Sequence, residues 1–294
     1  MRWIGALVLA ASIASAAHAA NAAKVDGFRF QIVTGDDSAQ TRRIADDLYK
    51  RLAPLVAQFR TELAQRRRLV YVAIGPVALR DVARRADDCV VISAFTSSQV
   101  WRAVAASAKP ARAAAMTAVF AEPAPADQLQ LVSLLYKRPV RVAAIIGAET
   151  GHLKPVLRGA ALIEEMTPDD DINRVLNRIA PNEVLLAMPD SGIYNADNIR
   201  NILLSTYRHK QGVIGFSADM VKAGALASTY SDIEDINAQV AEMTTAFVAS
   251  GELPAPQFPR YFSTLVNEGV ARSLDLDVDD AARKFARHPS GKAR

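Results

Sequence analysis

The chain is poor in the residues that most chemistry needs. It has a single cysteine, Cys89, so no intramolecular disulfide can form, and no cysteine follows the N-terminal region to carry a lipid. Cys89 opens the apolar run Cys89-Val90-Val91-Ile92 and reads as a small buried hydrophobe. Only four histidines are present, at His18, His152, His209 and His288, with no H-x-x-x-H spacing and no C-x-x-C, so a metal site has no support. His209, in Thr206-Tyr207-Arg208-His209-Lys210, reads as a cation near a helix C-terminus rather than a ligand. No G-x-G-x-x-G occurs, and Gly147-Ala148-Glu149-Thr150-Gly151-His152-Leu153-Lys154 lacks the spacing of a phosphate-binding loop. Pro168-Asp169-Asp170-Asp171-Ile172-Asn173 lacks the glycine and closing glutamate of a calcium loop. Gly215-Phe216-Ser217 begins a nucleophile elbow, but Asp219 stands where the second glycine belongs. With scattered histidines and a broken elbow, a hydrolase is disfavoured.

Long hydrophobic runs are confined to one end. Trp3 to Ala17 carries no charge, follows Arg2, and precedes the small-x-small site Ala17-His18-Ala19. It is short for a membrane span and has the parts of a cleaved secretory leader over residues 1–19, placing the mature start at Ala20 and the protein in a periplasm. No later segment is long and apolar enough to insert, so the mature chain is expected outside the bilayer. Aromatics make up 6% of the chain and do not interleave with a basic face, which disfavours nucleic acid as a partner. The net charge of +4 is dispersed apart from Arg66-Arg67-Arg68 and the tail from Arg287 to Arg294, both read as solvated ends.

What is present is a rhythm. Apolar runs rich in β-branched residues recur at Phe28–Val33, Leu69–Ile74, Cys89–Phe95, Thr117–Phe120, Val140–Ile146, Ala160–Glu165, Val184–Met188, Gly212–Phe216, Ala225–Tyr230 and Tyr261–Asn267. Helical periodicity separates them, and Thr167-Pro168-Asp169-Asp170 has the composition of a helix start. Strands alternating with helices predict an α/β protein of parallel sheets flanked by helices. The pattern occurs twice around the proline-rich break Glu122–Asp127, which gives two α/β lobes.

In such sheets ligands sit beyond the carboxyl ends of the strands. The residues predicted there to contact a ligand are Gly75, Pro76, Phe95, Thr96, Ser97, Glu149, Thr150, Asp190, Ser191, Tyr194, Phe216 and Ser217. Whether Thr34 to Asp37 join them is left open. Phe95, Tyr194 and Phe216 could stack on a planar group or pack as core. Asp190 could pair with a ligand amine or cap the helix near Asn195. No catalytic residue and no cofactor is implied, and the chain is read as a non-enzyme that works as a monomer.

Six segments in order carry a resemblance: VVISAF, AVFAEPAPADQLQLVSLL, VRVAAIIGAE, VLLAMPDSGIYNADNIRNILLSTYR, GVIGFSADMVKAGALASTYSD and PRYFSTLVNEGVARSLDL. Together, over about Leu69 to Leu276, they resemble the ABC-transporter substrate-binding proteins of the family that includes tryptophan and tyrosine binders. That resemblance implies a type I periplasmic-binding-protein fold, two lobes joined by three crossing hinge strands that close on a small molecule. It implies Thr117–Phe120 as the first crossing and the segment just after Phe216 as the second. Lys222–Ser228 would then rebuild the first lobe, and Phe262–Asn267 would make the third crossing. The lobes would comprise residues 20–120 with 217–262, and 121–216 with 263–286, with 287–294 a flexible tail. The first lobe is shorter than the family pattern, with one strand and one long helix before Tyr71-Val72-Ala73-Ile74-Gly75. The implied role is capture of an amino-acid-like ligand for an ABC permease. A module reporting its ligand to a membrane sensor kinase or cyclase, or serving an outer-membrane uptake system, would use the same cleft.

Overall fold

A computed structural model describes residues 27–58, 67–85 and 88–290; the leader read at residues 1–19 lies outside the described residues. The chain begins with β1 (Gly27–Thr34), α1 (Ala39–Gln58), β2 (Arg67–Ile74), α2 (Gly75–Ala83), β3 (Cys89–Thr96), α3 (Ser98–Ser107), α4 (Pro110–Ala114) and β4 (Met116–Phe120). These four strands form one parallel sheet in the order β1-β2-β3-β4. Each strand side alternates between two cores, as a parallel sheet covered on both faces requires. Val70, Val72 and Ile74 of β2 pack under α1 with Leu48 and Leu52, whereas Tyr71 and Ala73 face Leu79, Val82 and Val104 of α2 and α3.

The second part holds α5 (Pro125–Tyr136), β5 (Val142–Ile146), a 3₁₀ turn at Gly151–Leu153, α6 (Lys154–Leu157), β6 (Leu162–Glu165), α7 (Ile172–Ile179) and β7 (Val184–Leu186). It continues through α8 (Ile199–Arg208), β8 (Gly212–Ile214), α9 (Ala218–Ala223) and β9 (Ala227–Tyr230). After α10 (Ile233–Ser250) come β10 (Ser263–Val266), α11 (Glu268–Ser273) and α12 (Asp280–Arg283). The second sheet has the order β10-β9-β8-β7-β5-β6, parallel except where β10 runs antiparallel to β9. Ala144, Ile146 and Leu186 pack against α5 and α12 on one face, and Ala143, Ile145 and Leu185 against α7 and α8 on the other.

Among the described residues the chain passes between the sheets three times, and none of the three passages falls where the resemblance placed it. β4 itself lies in the first sheet, and the chain leaves through Ala121–Ala124. The segment after Phe216 does not cross. It forms α9, and Ala227 pairs with Ile214, so Lys222–Ser228 extends the second sheet instead of rebuilding the first. The return falls after Tyr230, where Asp232 caps α10 by accepting from the N–H of Asp235 at 2.8 Å. Helix α10 then packs beside α1, its Ile236, Val240 and Phe247 sharing a core with Leu48. The last passage begins at Gln257, whose N–H donates to Ala118 O and whose carbonyl accepts from Phe120 N–H, both at 2.9 Å. β10 already belongs to the second sheet.

The tail is also tied down further than expected. Arg287 pairs backbone to backbone with Phe262, forms an ion pair with Asp127 and lies 4.6 Å from the Phe262 ring centroid. Arg68, read as part of a solvated end, sits half-buried with its guanidinium 6.0 Å from the Phe247 ring centroid. Cys89 is buried as expected, with an Arg112 Nη1 2.7 Å from its sulfur.

Candidate functional site

The carboxyl edges of the two sheets face each other, and the site is built from the first residues beyond them. On the first sheet β3 ends in a bulge between Ala94 and Thr96, with Phe95 at φ +56°. A bulky residue in the left-handed region is rare and carries strain. The bulge breaks the alternation, so Phe95 turns onto the same core as Ala94, beneath α1 and α10. Phe95 is therefore a packing residue here and not a free stacking face. The carbonyl of Thr96, a buried residue, accepts from Ala121 N–H at 3.1 Å, binding the strand end to the first crossing.

Helix α3 starts immediately after. Ser97 is its N-cap residue, yet the hydroxyl makes no capping bond. The cap comes from Glu122 in the crossing, whose Oε1 accepts from Ser98 N–H at 2.8 Å. A carboxylate at a helix N-terminus is favoured by the unpaired N–H groups there. Glu122 is only 5% exposed, and its Oε2 has no hydrogen-bond partner among the described residues. Burial pushes its pKa above the ordinary carboxylate value, and the Ser98 bond opposes the rise.

Two hydrogen bonds join this edge to the second sheet. Gln99 Nε2 donates to Pro189 O at 2.6 Å, and Ser98 Oγ lies 3.1 Å from His152 Nε2. His152 Nδ1 is 3.2 Å from the carbonyl of Glu149, which can only accept, so Nδ1 carries a proton. In the neutral ring Nε2 then accepts from the Ser98 hydroxyl. Burial lowers the His152 pKa and the neighbouring Arg102 lowers it further, against the Glu149 bond, which raises it.

On the second sheet, the loops after β5 and β7 are latched together. Asp190, 3% exposed, accepts from Thr150 Oγ1 at 2.8 Å and from Gly192 N–H at 3.1 Å. Glu149 reaches the same loop, accepting from Ser191 N–H and Ser191 Oγ, each at 2.9 Å. The Asp190 carboxylate is thus engaged inside the lobe and does not cap the helix that follows; ahead of that helix Asn195 Oδ1 accepts from Asn198 N–H. Tyr194 and Phe216 meet edge to face with centroids 5.7 Å apart, half-buried against the α7–α8 core. The Tyr194 hydroxyl is buried without a partner, and burial and then Asp190 push its pKa upward. Ser217 caps α9, accepting from Met220 N–H at 3.3 Å.

The predicted residues thus fall into three groups. Ser97 lies at the seam between the sheets. Glu149, Thr150, Asp190 and Ser191 form the latch behind it, and Tyr194, Phe216 and Ser217 lie past the carboxyl ends of β7 and β8, the two rings packed on each other and Ser217 capping α9. Gly75 and Pro76 open α2, with Gly75 at φ +83°, a conformation that glycine adopts freely. Thr34 and Gly35 line a smaller groove with Val77 and Arg80 and do not reach the seam. Sequence reading missed Ser98, Gln99, Glu122 and His152. The available clue for Glu122 was a charged residue placed directly after a buried strand. A cavity of about 710 Å³ opens at the outer end of the seam, its walls including Arg80, Arg84, Gln99, Arg102, Glu149 and His152.

Comparison with solved structures shows where this architecture recurs. A substrate binding protein with adhesive properties from Clostridium difficile, in its ligand-free open form, superposes with a TM-score of 0.58 at 12% identity, covering 87% of this chain and 97% of that one. An ABC domain from Streptococcus pneumonia in complex with L-Trp gives 0.52 at 14% identity over 88% and 98%. A conserved domain protein from Vibrio cholerae gives 0.51 at 15% identity over 87% and 98%. No family model matches the sequence, and no curated protein matches it either. At these identities the likeness establishes the fold: the chain has the two-lobed type I periplasmic-binding-protein architecture.

Proposed function

We propose that this chain is a periplasmic solute-binding protein that captures a small, amino-acid-like organic molecule between its lobes and presents it to an ABC importer. The observation that carries the reading is the seam. Ser98 and Gln99 of the first lobe bond directly to His152 and Pro189 of the second, and a buried carboxylate with an uncommitted oxygen lies behind them. Buried acceptors without partners cost free energy in a folded protein, and each calls for an explanation. Glu122 Oε2 would accept from a ligand ammonium, and Gln99 Oε1, also buried without a partner, would accept from a second donor. Opening of the lobes separates Ser98 from His152 and Gln99 from Pro189 and admits the molecule. Closing then buries it against Tyr194 and Phe216. The Asp190–Thr150 bond holds the second wall rigid, which makes Asp190 a positioning residue in this reading. No catalytic step is assigned.

The shared fold supports a binding role, and the S. pneumonia structure described with L-Trp supports the amino-acid class. Mass spectrometry of molecules carried by native protein from a periplasmic extract tests the proposal. Small-angle scattering with the recovered molecule is then expected to show a smaller radius of gyration. Protein that carries no small molecule and scatters identically with every candidate amino acid would refute it.

A further inference from the structure

The arginines at the outer end of the seam have no role in that proposal. Arg80 stands in the last turn of α2 and Arg84, one turn on, is its C-cap residue, while Arg102 projects from the adjacent α3. All three are exposed, and none makes an ion pair or side-chain hydrogen bond among the described residues. The nearest acid on their own helix, Asp81, is taken by Arg85 at 2.8 Å. The cavity they line has one carboxylate, Glu149, and both of its oxygens already accept from Ser191. Like charges at i and i+4 repel, and a counter-charge is therefore favoured at this position.

The opposite wall belongs to the other lobe. Ala148, Glu149 and His152 come from the loop after β5, where His152 Nδ1 faces Glu149 O and Nε2 lies 3.1 Å from Ser98 Oγ. An anion here would touch both lobes at once. Guanidinium groups bind carboxylate and phosphate through paired N–H donors, and three of them line this one cavity.

We infer that Arg80, Arg84 and Arg102 form an anion subsite at the mouth of the cleft, so that the captured molecule carries a carboxylate or phosphoryl group at the end facing solvent. This rests on the reading that the ligand lies between the lobes. Together with Glu122 deeper in the seam, the subsite sets a direction for a zwitterion, with its cationic end inward and its anionic end outward.

Inorganic phosphate is the first probe, titrated calorimetrically at fixed low salt into wild type, Arg84→Gln, Arg102→Gln and Arg200→Gln. Arg200, exposed on α8, serves as the control for general charge. Saturable binding is expected in wild type and Arg200→Gln, weakened about tenfold or more in Arg84→Gln and Arg102→Gln. Equal binding in all four proteins, or none in wild type, overturns the subsite. The molecule recovered from the native protein supplies the second arm. An anionic molecule that loses affinity about tenfold in Arg84→Gln supports the inference. A molecule without an anionic group, bound equally by wild type and Arg84→Gln, overturns it while leaving the solute-binding reading intact. Phosphate binding that depends on Arg84 and Arg102, in a protein that captures no organic molecule, would sink the solute-binding reading and keep the subsite.

Discussion

Replacing Gly147 with alanine tests the latch behind the seam. A Cβ built on Gly147 lies 2.6 Å from Asp190 Oδ2, 2.9 Å from Cγ and 3.0 Å from Oδ1. Ordinary contact begins near 3.4 Å, so the carboxylate would have to retreat by roughly 0.8 Å. The backbone of Gly147 is not in the left-handed region, so the conflict is with the side chain alone. Asp190 cannot retreat freely: it is 3% exposed and held by Thr150 Oγ1 and Gly192 N–H. A hydrogen bond to a charged group contributes roughly 1.5–3 kcal/mol. Alanine returns roughly 0.4–1 kcal/mol by restricting the unfolded chain. Losing one of the two bonds therefore gives a net destabilisation of about 1–2 kcal/mol, and losing both gives more.

Urea unfolding followed by circular dichroism measures that difference directly. The decisive comparison repeats Gly147→Ala in an Asp190→Ala background. With the carboxylate gone the added methyl meets nothing charged, and the substitution should be neutral or slightly stabilising. The two effects are then strongly non-additive, as expected of residues in contact. An equal cost in both backgrounds, or no cost in either, refutes the latch.

Three further outcomes follow from the seam. Glu122→Gln keeps the acceptor for Ser98 N–H and removes the charge. In wild type the native state holds this proton above the unfolded value of 4.5, so stability falls as pH rises from there through the raised native pKa. The variant should lose that fall and gain on wild type toward neutral pH, while amine-bearing ligands bind roughly ten- to a hundredfold more weakly; parallel pH–stability profiles contradict this. Ser98→Ala with Gln99→Ala removes both bonds between the lobes, each contributing roughly 0.5–1.5 kcal/mol, and should enlarge the radius of gyration of the unliganded protein; an unchanged scattering curve counts against those bonds as the closing contacts. Ser217→Ala removes the α9 cap, whose 3.3 Å bond is long, and should cost about 0.5–1 kcal/mol in urea unfolding; a larger loss of ligand affinity than of stability would return Ser217 to the binding site.

All ten strands among the described residues were legible in the sequence because each falls in a short run of apolar and β-branched residues. The allocation of the late strands was not. Ala225–Tyr230 and Tyr261–Asn267 are apolar enough for either sheet, and what places them is pairing: Ala227 with Ile214, and Ser263 with Tyr230. Residue composition carries no record of which neighbour a strand selects. Phe95, left open between a stacking face and core, is decided by the backbone. Period-two alternation assigns it to the face opposite Ala94, and a one-residue bulge at φ +56° reverses that. For Asp190 the two alternatives weighed were an amine partner and a helix cap. The partner found, Thr150, is forty residues away in sequence, and local motifs cannot name it.

Glu122 shows the same limit at the point that matters most for function. In sequence it belongs to a proline-rich break, where an acid is unremarkable. In the fold it reaches back twenty-four residues to cap α3, because the Ser97 hydroxyl leaves that N-terminus unsatisfied. Ser98 then carries two connections at once: its N–H serves the carboxylate on the inside, and its hydroxyl serves His152 toward the mouth. Beyond His152 stands Arg102, close enough to depress the imidazole's pKa. Moving outward along this line, the groups are a buried acid, a hydroxyl, an imidazole and a guanidinium. An ionised Glu122 facing a guanidinium at the other end of a closed seam would set up a field along it, strengthened where water is excluded. A dipolar molecule entering that seam would be favoured in one orientation, and its reversal would bring carboxylate against carboxylate. In the solute-binding reading proposed above, the orientation of the ligand would then depend on where the first crossing places a single glutamate.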